Sequence, residues 1–244
     1  MSDDIKISVN DVWIRFNMAS ERIDNFKEYM IKLLKRQLLF KEFLALKGIT
    51  FAVKAGESWG FVGTNGSGKS TLLKTICGIL KPYKGSVQIN GTISPLIELG
   101  AGFDGNMTAR ENVFLNGAVL GYSEKYIKEK FDEIIDFAEL RDFLDVPIKN
   151  FSSGMSARLG FAIATTVKPD ILICDEVLAV GDFKFQEKCE QRMNELLSGG
   201  TTLLFVSHSI DQVKRMCKNA IWIDHGEMKM IGSAEEVCNA YSNS

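Results

Sequence analysis

The chain has two histidines, His208 and His225, and its five cysteines (Cys77, Cys174, Cys189, Cys217 and Cys238) are odd in number and lack C-x-x-C spacing. A disulfide framework and a zinc site are therefore not indicated, and the thiols read as buried or idle in a reducing compartment. No stretch approaches the ~20 uninterrupted apolar residues of a membrane span. The acidic start "MSDDIKISVND" lacks the basic and apolar regions of a signal peptide. Work at a membrane would need another component to span it. A dominant charge is missing too: 29 Lys and Arg against 31 Asp and Glu leave a formal net charge of −2, with no global electrostatic footprint for nucleic acid. Repeats and low-complexity tracts are absent.

What is present is material for a core. With 244 residues, 45% hydrophobic and 25% charged, the chain can form one large α/β domain or two small ones. Lys6 to Phe16 alternates through Ile7, Val9, Val12, Ile14 and Phe16 with one irregular step, which predicts a strand. A strand pair is expected at Ile49 to Val53 and Ser58 to Val62 around the turn "KAGE". Further strands are expected at Ser86 to Ile89, Ile171 to Asp175, Thr202 to Val206 and Ile221 to Asp224, the last joined by "HGE" to Met228 to Ile231. Interleaved helices argue for an α/β fold with a mainly parallel sheet and an antiparallel edge. From about Thr92 to Lys168 the pattern turns helical, with Tyr126, Ile127, Phe131, Ile134, Ile135 and Phe137 at helical spacing. Arg22 to Phe43 places Ile23, Phe26, Met30, Leu33 and Leu34 on one face and Lys27, Lys32, Lys35 and Arg36 largely off it. This pattern predicts an amphipathic basic helix, which either packs on its own domain or lies at a membrane surface or partner.

"GTNGSGKS", Gly63 to Ser70, fulfils G-x-x-x-x-G-K-[ST] after an expected strand and before the apolar helix "STLLKTICGIL". Gly63, Gly66 and Gly68 let the backbone of Thr64, Asn65 and Ser67 wrap closely around phosphate, with N–H groups and the helix start through Thr71 facing the anion. Lys69 supplies a point charge for the β- and γ-phosphates and Ser70 a hydroxyl for Mg²⁺. "PDILICDE" is an apolar strand ending in Asp175 and Glu176, at the sheet end where open α/β folds bind ligands. Asp175 suits Mg²⁺, held through water; Glu176 can polarise the water that attacks the γ-phosphate. His208, in "SHS" at another strand end, is a γ-phosphate sensor or orienter, or a structural histidine; His225 reads as structural. The absence of a Thr-x-Asp-type motif favours adenine over guanine, so the expected ligands are ATP and Mg²⁺. Phe16 either stacks on the base or belongs to the core.

"NFSSGMSARLGFAIA", Asn150 to Ala164, resembles the signature motif of ATP-binding-cassette ATPases, with Phe151, Ser152, Ser153, Gly154 and Met155 at the motif's five positions. "ALKGITFAVKAGESWGFVG", "LAVGD" and "FVSHS" resemble further segments of that family. The resemblance implies a P-loop NTPase fold, an ABC-type nucleotide-binding domain with a RecA-like core, antiparallel β edge and helical subdomain. It implies one domain over 1–244: an α/β core (1–91 and 169–244), a mostly helical subdomain (92–168) and an extra amphipathic helix (22–43). It also implies catalytic Glu176, His208 and Lys69, and a homodimer in which Ser152 and Gly154 N–H groups meet the γ-phosphate held by the other subunit.

"FSSGMSARLGFAIA", "LIELGAGF" and "RENVFLNG" together resemble cassettes that power export of lipid-linked polysaccharide such as O antigen or teichoic acid. That implies a separate multi-span permease, a lipid-linked glycan as cargo, and a place at the cytoplasmic face of the bacterial membrane, with no nucleic acid involved. An importer cassette for a small solute and a soluble cassette acting on DNA or the ribosome are the alternatives. "LIELGAGF", Leu96 to Phe103, holds no glutamine where most cassettes carry one; Glu98 is the nearest polar residue. Gly100 and Gly102 are expected to let the backbone bend or a partner approach. The chain ends at "NAYSNS" after the expected last helix of the cassette, so glycan selectivity is expected to come from the membrane subunit or from another chain.

Overall fold

Strands that are buried nearly throughout need cover on both faces, and the chain builds the middle of its main sheet from them. The computed structural model of the protein describes residues 4–19, 40–96, 100, 102–175, 181–207 and 209–244. Its six-stranded sheet runs in the order β5 (Ile93–Leu96), β6 (Ile171–Asp175), β7 (Thr202–Val206), β3 (Ser58–Val62), β8 (Asn219–Asp224) and β9 (Glu227–Ser233). All neighbours are parallel except β9, the antiparallel edge expected from the sequence. The β8–β9 hairpin turns on His225 and Gly226, at φ 48° and 79°, the left-handed pair required by a two-residue turn of this hand.

A second, antiparallel sheet has the order β2 (Phe40–Lys54), β1 (Ile5–Ala19), β4 (Lys84–Ile89). The irregular step in β1 falls at Asp11, at φ 45°, where the register to β2 shifts between Val9 and Val12. Three expectations are corrected here. Ser58 to Val62 is not paired with the strand before "KAGE": β3 hydrogen-bonds in parallel to β7 and β8, which places its five buried residues in the middle of the sheet, covered on both faces. Phe40 to Phe43 are strand rather than the end of a helix, since they continue the β1 ladder as far as Ala19 opposite Phe40. Residues 22–39 of that expected helix lie outside the described residues. Finally, residues 93–96 extend the main sheet rather than starting the helical part, with Pro95 tolerated because β5 is an edge strand.

Alternation along β6 shows how the layers meet. Ile171 and Ile173 pack with β1, β2 and α1 (Lys69–Ile76); Leu172 and Cys174 point the opposite way, into the helical side. That side contains α2 (Ala109–Val119), α3 (Glu124–Ala138), α4 (Ser153–Thr166), α5 (Phe183–Ser198), α6 (Ile210–Met216) and α7 (Ala234–Ser242). Helix α3 buries Ile127, Ile134, Ile135 and Phe137 as its spacing requires. It lies so near α2 that a side chain at Gly117 would strike Ile127. The five cysteines are all unpaired, and burial pushes the Cys77 and Cys189 thiols up to about 11 and about 12, which makes them poor nucleophiles at neutral pH. No helix among the described residues is long and apolar enough to cross a membrane.

Candidate functional site

The P-loop leaves β3 at Gly63 and enters α1 at Lys69, so a short buried strand aims it and a helix N-terminus closes it. Gly63, Gly66 and Gly68 have φ of 147°, 78° and 113°. Position 63 also has no room: an added Cβ would run into the Ile223 carbonyl oxygen and come within 2.8 Å of Ser67 Oγ. Ser67 N–H donates to Thr64 O at 3.1 Å, and Ser67 O accepts from Gly226 N at 2.9 Å. The β8–β9 turn is thus fastened to the P-loop. Lys69 is buried, and its ammonium donates to Gly63 O at 2.7 Å and Thr64 O at 3.0 Å, folding the side chain back over the loop. Helix α1 has no side-chain cap; Gly68 stands at its N-cap position, so its first N–H groups remain disposed to receive an anion.

Beside this loop is a cavity of about 420 Å³ lined by Phe16, Phe43, Ala45, Asn65, Gly66, Gly68, Lys69, Ser70 and Thr71. Phe16 lines this cavity and is 39% exposed, so it is not a core side chain. Asp175 reaches the same sheet end by register. Phe61 pairs with Val206 and Val206 with Asp175, which sets Asp175 two strand spacings, about 10 Å, from Phe61 along one row. Three buried side-chain polar atoms lack a hydrogen-bond partner among the described residues: Ser67 Oγ, Asp175 Oδ1 and Asn116 Nδ2. Two of them lie in the P-loop and at the strand end beside it. A buried carboxylate oxygen without a donor calls for a cation or a water, so Asp175 fits a role in holding Mg²⁺.

Ser152 and Gly154 do not line this cavity. They stand at the start of α4, where the Ser152 hydroxyl accepts from Met155 N at 3.2 Å as the helix cap. Glu176, His208 and Glu98 lie outside the described residues. Next to His208, Ser207 Oγ donates to Gln212 Oε1 at 2.7 Å and Ser209 caps α6. Gly100 and Gly102, both at positive φ (83° and 92°), do bend the chain, with Phe103 N–H donating to Gly100 O at 3.0 Å.

Residues 46–179 match the ABC transporter family. The chain belongs to the ABC transporter family. As a member it is an ABC ATPase, a nucleotide-binding subunit whose ATP hydrolysis is coupled to transport. It is 45% identical over 201 residues to the O-antigen export system ATP-binding protein RfbB of Klebsiella pneumoniae, with 82% of each chain covered. It is 42% identical over 242 residues to the teichoic acids export ATP-binding protein TagH of Listeria monocytogenes, covering 99% of this chain and 71% of that one. A solved ATP-binding cassette, dimeric and bound to ADP and phosphate, has the same fold, with a TM-score of 0.74 at 23% identity over 93% of this chain and 98% of that one.

Sequence reasoning missed two features of this ABC cassette. Phe43 and Ala45 line the cleft beside Phe16; the sequence pattern puts Phe43 at the end of a helix and gives Ala45 no place in the site, and only the β1–β2 register reveals them. Arg158, within the signature-like segment, bridges Glu139 at 3.1 Å and Asp182 at 3.1 Å. The Phe185 N–H, and after it the Arg158 guanidinium, hold the Asp182 carboxyl below its ordinary range.

Proposed function

We propose that this ABC ATPase powers the export of a lipid-linked polysaccharide, an O antigen, teichoic acid or related glycan, across the cytoplasmic membrane. It would act as a homodimer at the cytoplasmic face, beneath a separate multi-span permease. The observation that carries the substrate class is the alignment of relatives named for O-antigen and teichoic acid export over most of the chain.

In this reading the N–H groups of residues 63–70 and the start of α1 hold the triphosphate, and Lys69 exchanges its carbonyl partners for phosphate oxygens. Ser70 and Asp175 would hold Mg²⁺, which when bound neutralises charge on the phosphate oxygens. Glu176 orients the attacking water and His208 answers to the γ-phosphate. Ser152 and Gly154 present the head of α4 to the nucleotide of the other subunit. In support, an added side chain at Gly154 would have Ser152 Oγ as its nearest neighbour, at 3.8 Å. The room within the chain suits a glycine required by something outside it. Residues 92–168 and 22–43 would carry motion to the permease.

The test is Glu176→Gln, which should bind ATP without hydrolysing it and accumulate as a closed dimer in size-exclusion chromatography. A protein that stays monomeric at saturating Mg-ATP removes the dimer mechanism. Depletion of the protein in its host should leave lipid-linked glycan inside the cell; normal surface glycan would remove the export reading while leaving the ATPase intact.

A further inference from the structure

The cleft beside the P-loop has two unlike walls. One is the anion-binding loop from Asn65 to Thr71; the other is aromatic and apolar, made by Phe16 on β1 with Phe43 and Ala45 on β2. A ligand matching both has an anionic end and a planar apolar end, as a nucleotide does.

The aromatic wall depends on a register shift. Ile14 pairs with Leu46 but Arg15 pairs with Leu44, so Ala45 is the extra residue of a β-bulge. Without it Phe16 would face Leu44, and Phe43 would sit opposite Asn17 on the other face of the ribbon. With it, Phe16 and Phe43 are directly opposed and project to the same side. The far side of the ribbon is polar, with Arg15 paired to Glu42 at 3.0 Å and lying 4.6 Å over the Tyr83 ring.

The bulge is also fixed to the phosphate loop. Added side chains at Gly226 and Gly68 would come within 2.6 and 2.8 Å of the Ala45 carbonyl oxygen. Lys47 N–H donates to Gly226 O at 2.8 Å, and Gly226 N–H to Ser67 O at 2.9 Å. A continuous backbone path thus holds the aromatic pair at a set position relative to the phosphate site. Both rings remain well exposed, Phe16 at 39% and Phe43 at 44%.

We propose that Phe43 is a nucleobase-binding residue of this cleft, brought to the base side by the Ala45 bulge and acting with Phe16. The inference rests on the ATPase reading. It is tested by the affinities of the purified chain for ATP and for inorganic tripolyphosphate, measured by competition against a fluorescent nucleotide. Phe43→Ala should weaken ATP binding about tenfold, the scale of base–aromatic stacking, and leave tripolyphosphate binding unchanged; Phe43→Trp should restore ATP binding to within about twofold. Unchanged ATP affinity in Phe43→Ala overturns the inference, as does an equal loss for ATP and tripolyphosphate, which would mark damage to the P-loop. A wild-type chain that binds neither compound overturns the ATPase reading as well, so the two failures are distinct.

Discussion

At the scale of single residues, Asp170 shows how one carboxylate ties the two sheets together. It precedes β6, accepts from Lys6 Nζ at 2.8 Å, and receives both the backbone N–H and the hydroxyl of Thr92 at 2.9 Å. Lys6 chiefly, then Thr92, holds its carboxyl down at about 2 against an ordinary 3.8. The lowered value means that folding favours the ionised form. Stability from this group is therefore present above pH ~4 and lost as the pH falls through about 2. The shift alone corresponds to about 2 kcal/mol, but the carboxylate is 41% exposed, and solvent screening reduces this to about 1 kcal/mol. Asp170→Asn should lower the urea-unfolding free energy by that amount at pH 7, with the gap to wild type closing between pH 4 and pH 2. A gap that persists undiminished at pH 2 would show that charge is not the source.

At the scale of elements, two helix ends meet at Arg158. The side chain leaves α4, pairs with Glu139 at the left-handed C-cap of α3, pairs with Asp182 at the N-cap of α5, and lies 4.6 Å over the Phe185 ring. Lys188 reaches the same Glu139 at 3.2 Å. Arg158→Met keeps the apolar cover on Phe185 and removes the ion pairs, so a destabilisation of about 1 kcal/mol is expected. A double-mutant cycle with Glu139→Gln should return a coupling of about 0.5 kcal/mol or more; additive effects would show that the two residues do not interact in solution.

The same scale separates what was legible in the sequence from what was not. The apolar strands β6 and β7 and the periodic helix α3 could be read directly, because burial on both faces, or on one stripe, leaves a local pattern. The P-loop could be read because its glycines answer a local demand: Gly63 has no space for a side chain against Ile223. Phe43 could not. Its position depends on a bulge two residues away and on a partner strand reached through residues 20–39, and "FKEF" has no period of its own. Nor could the neighbours of β3, since adjacency along the chain does not dictate pairing. The role of Asn112 in "RENVFLNG" was equally hidden. Buried, it accepts from Asp104 N–H and donates to the carbonyls of Asp104, Met107 and Thr108, holding the loop before α2.

At the scale of the whole molecule, the nucleotide cleft lies on the β1–β2 ladder, and the basic amphipathic segment lies between those two strands in sequence. The β1–β2 ladder continues from Phe16 opposite Phe43 to Ala19 opposite Phe40, so the aromatic wall lies three residues, about 10 Å, from the point where residues 20–39 begin. The chain thus enters and leaves that segment next to the aromatic wall. In a chain working under a permease, apolar residues at helical spacing flanked by Lys32, Lys35 and Arg36 suit contact with an anionic membrane surface or with the permease itself. Replacing those three residues by Gln leaves the P-loop, Asp175 and the aromatic pair untouched. ATP hydrolysis by the isolated chain should then stay within about twofold of wild type, while glycan export falls severalfold, read as surface polysaccharide in cells depleted of the native protein. Equal export in the triple variant would assign the segment to packing on its own cassette. A parallel loss of isolated ATPase activity would instead place its effect on the hairpin and the nucleotide cleft.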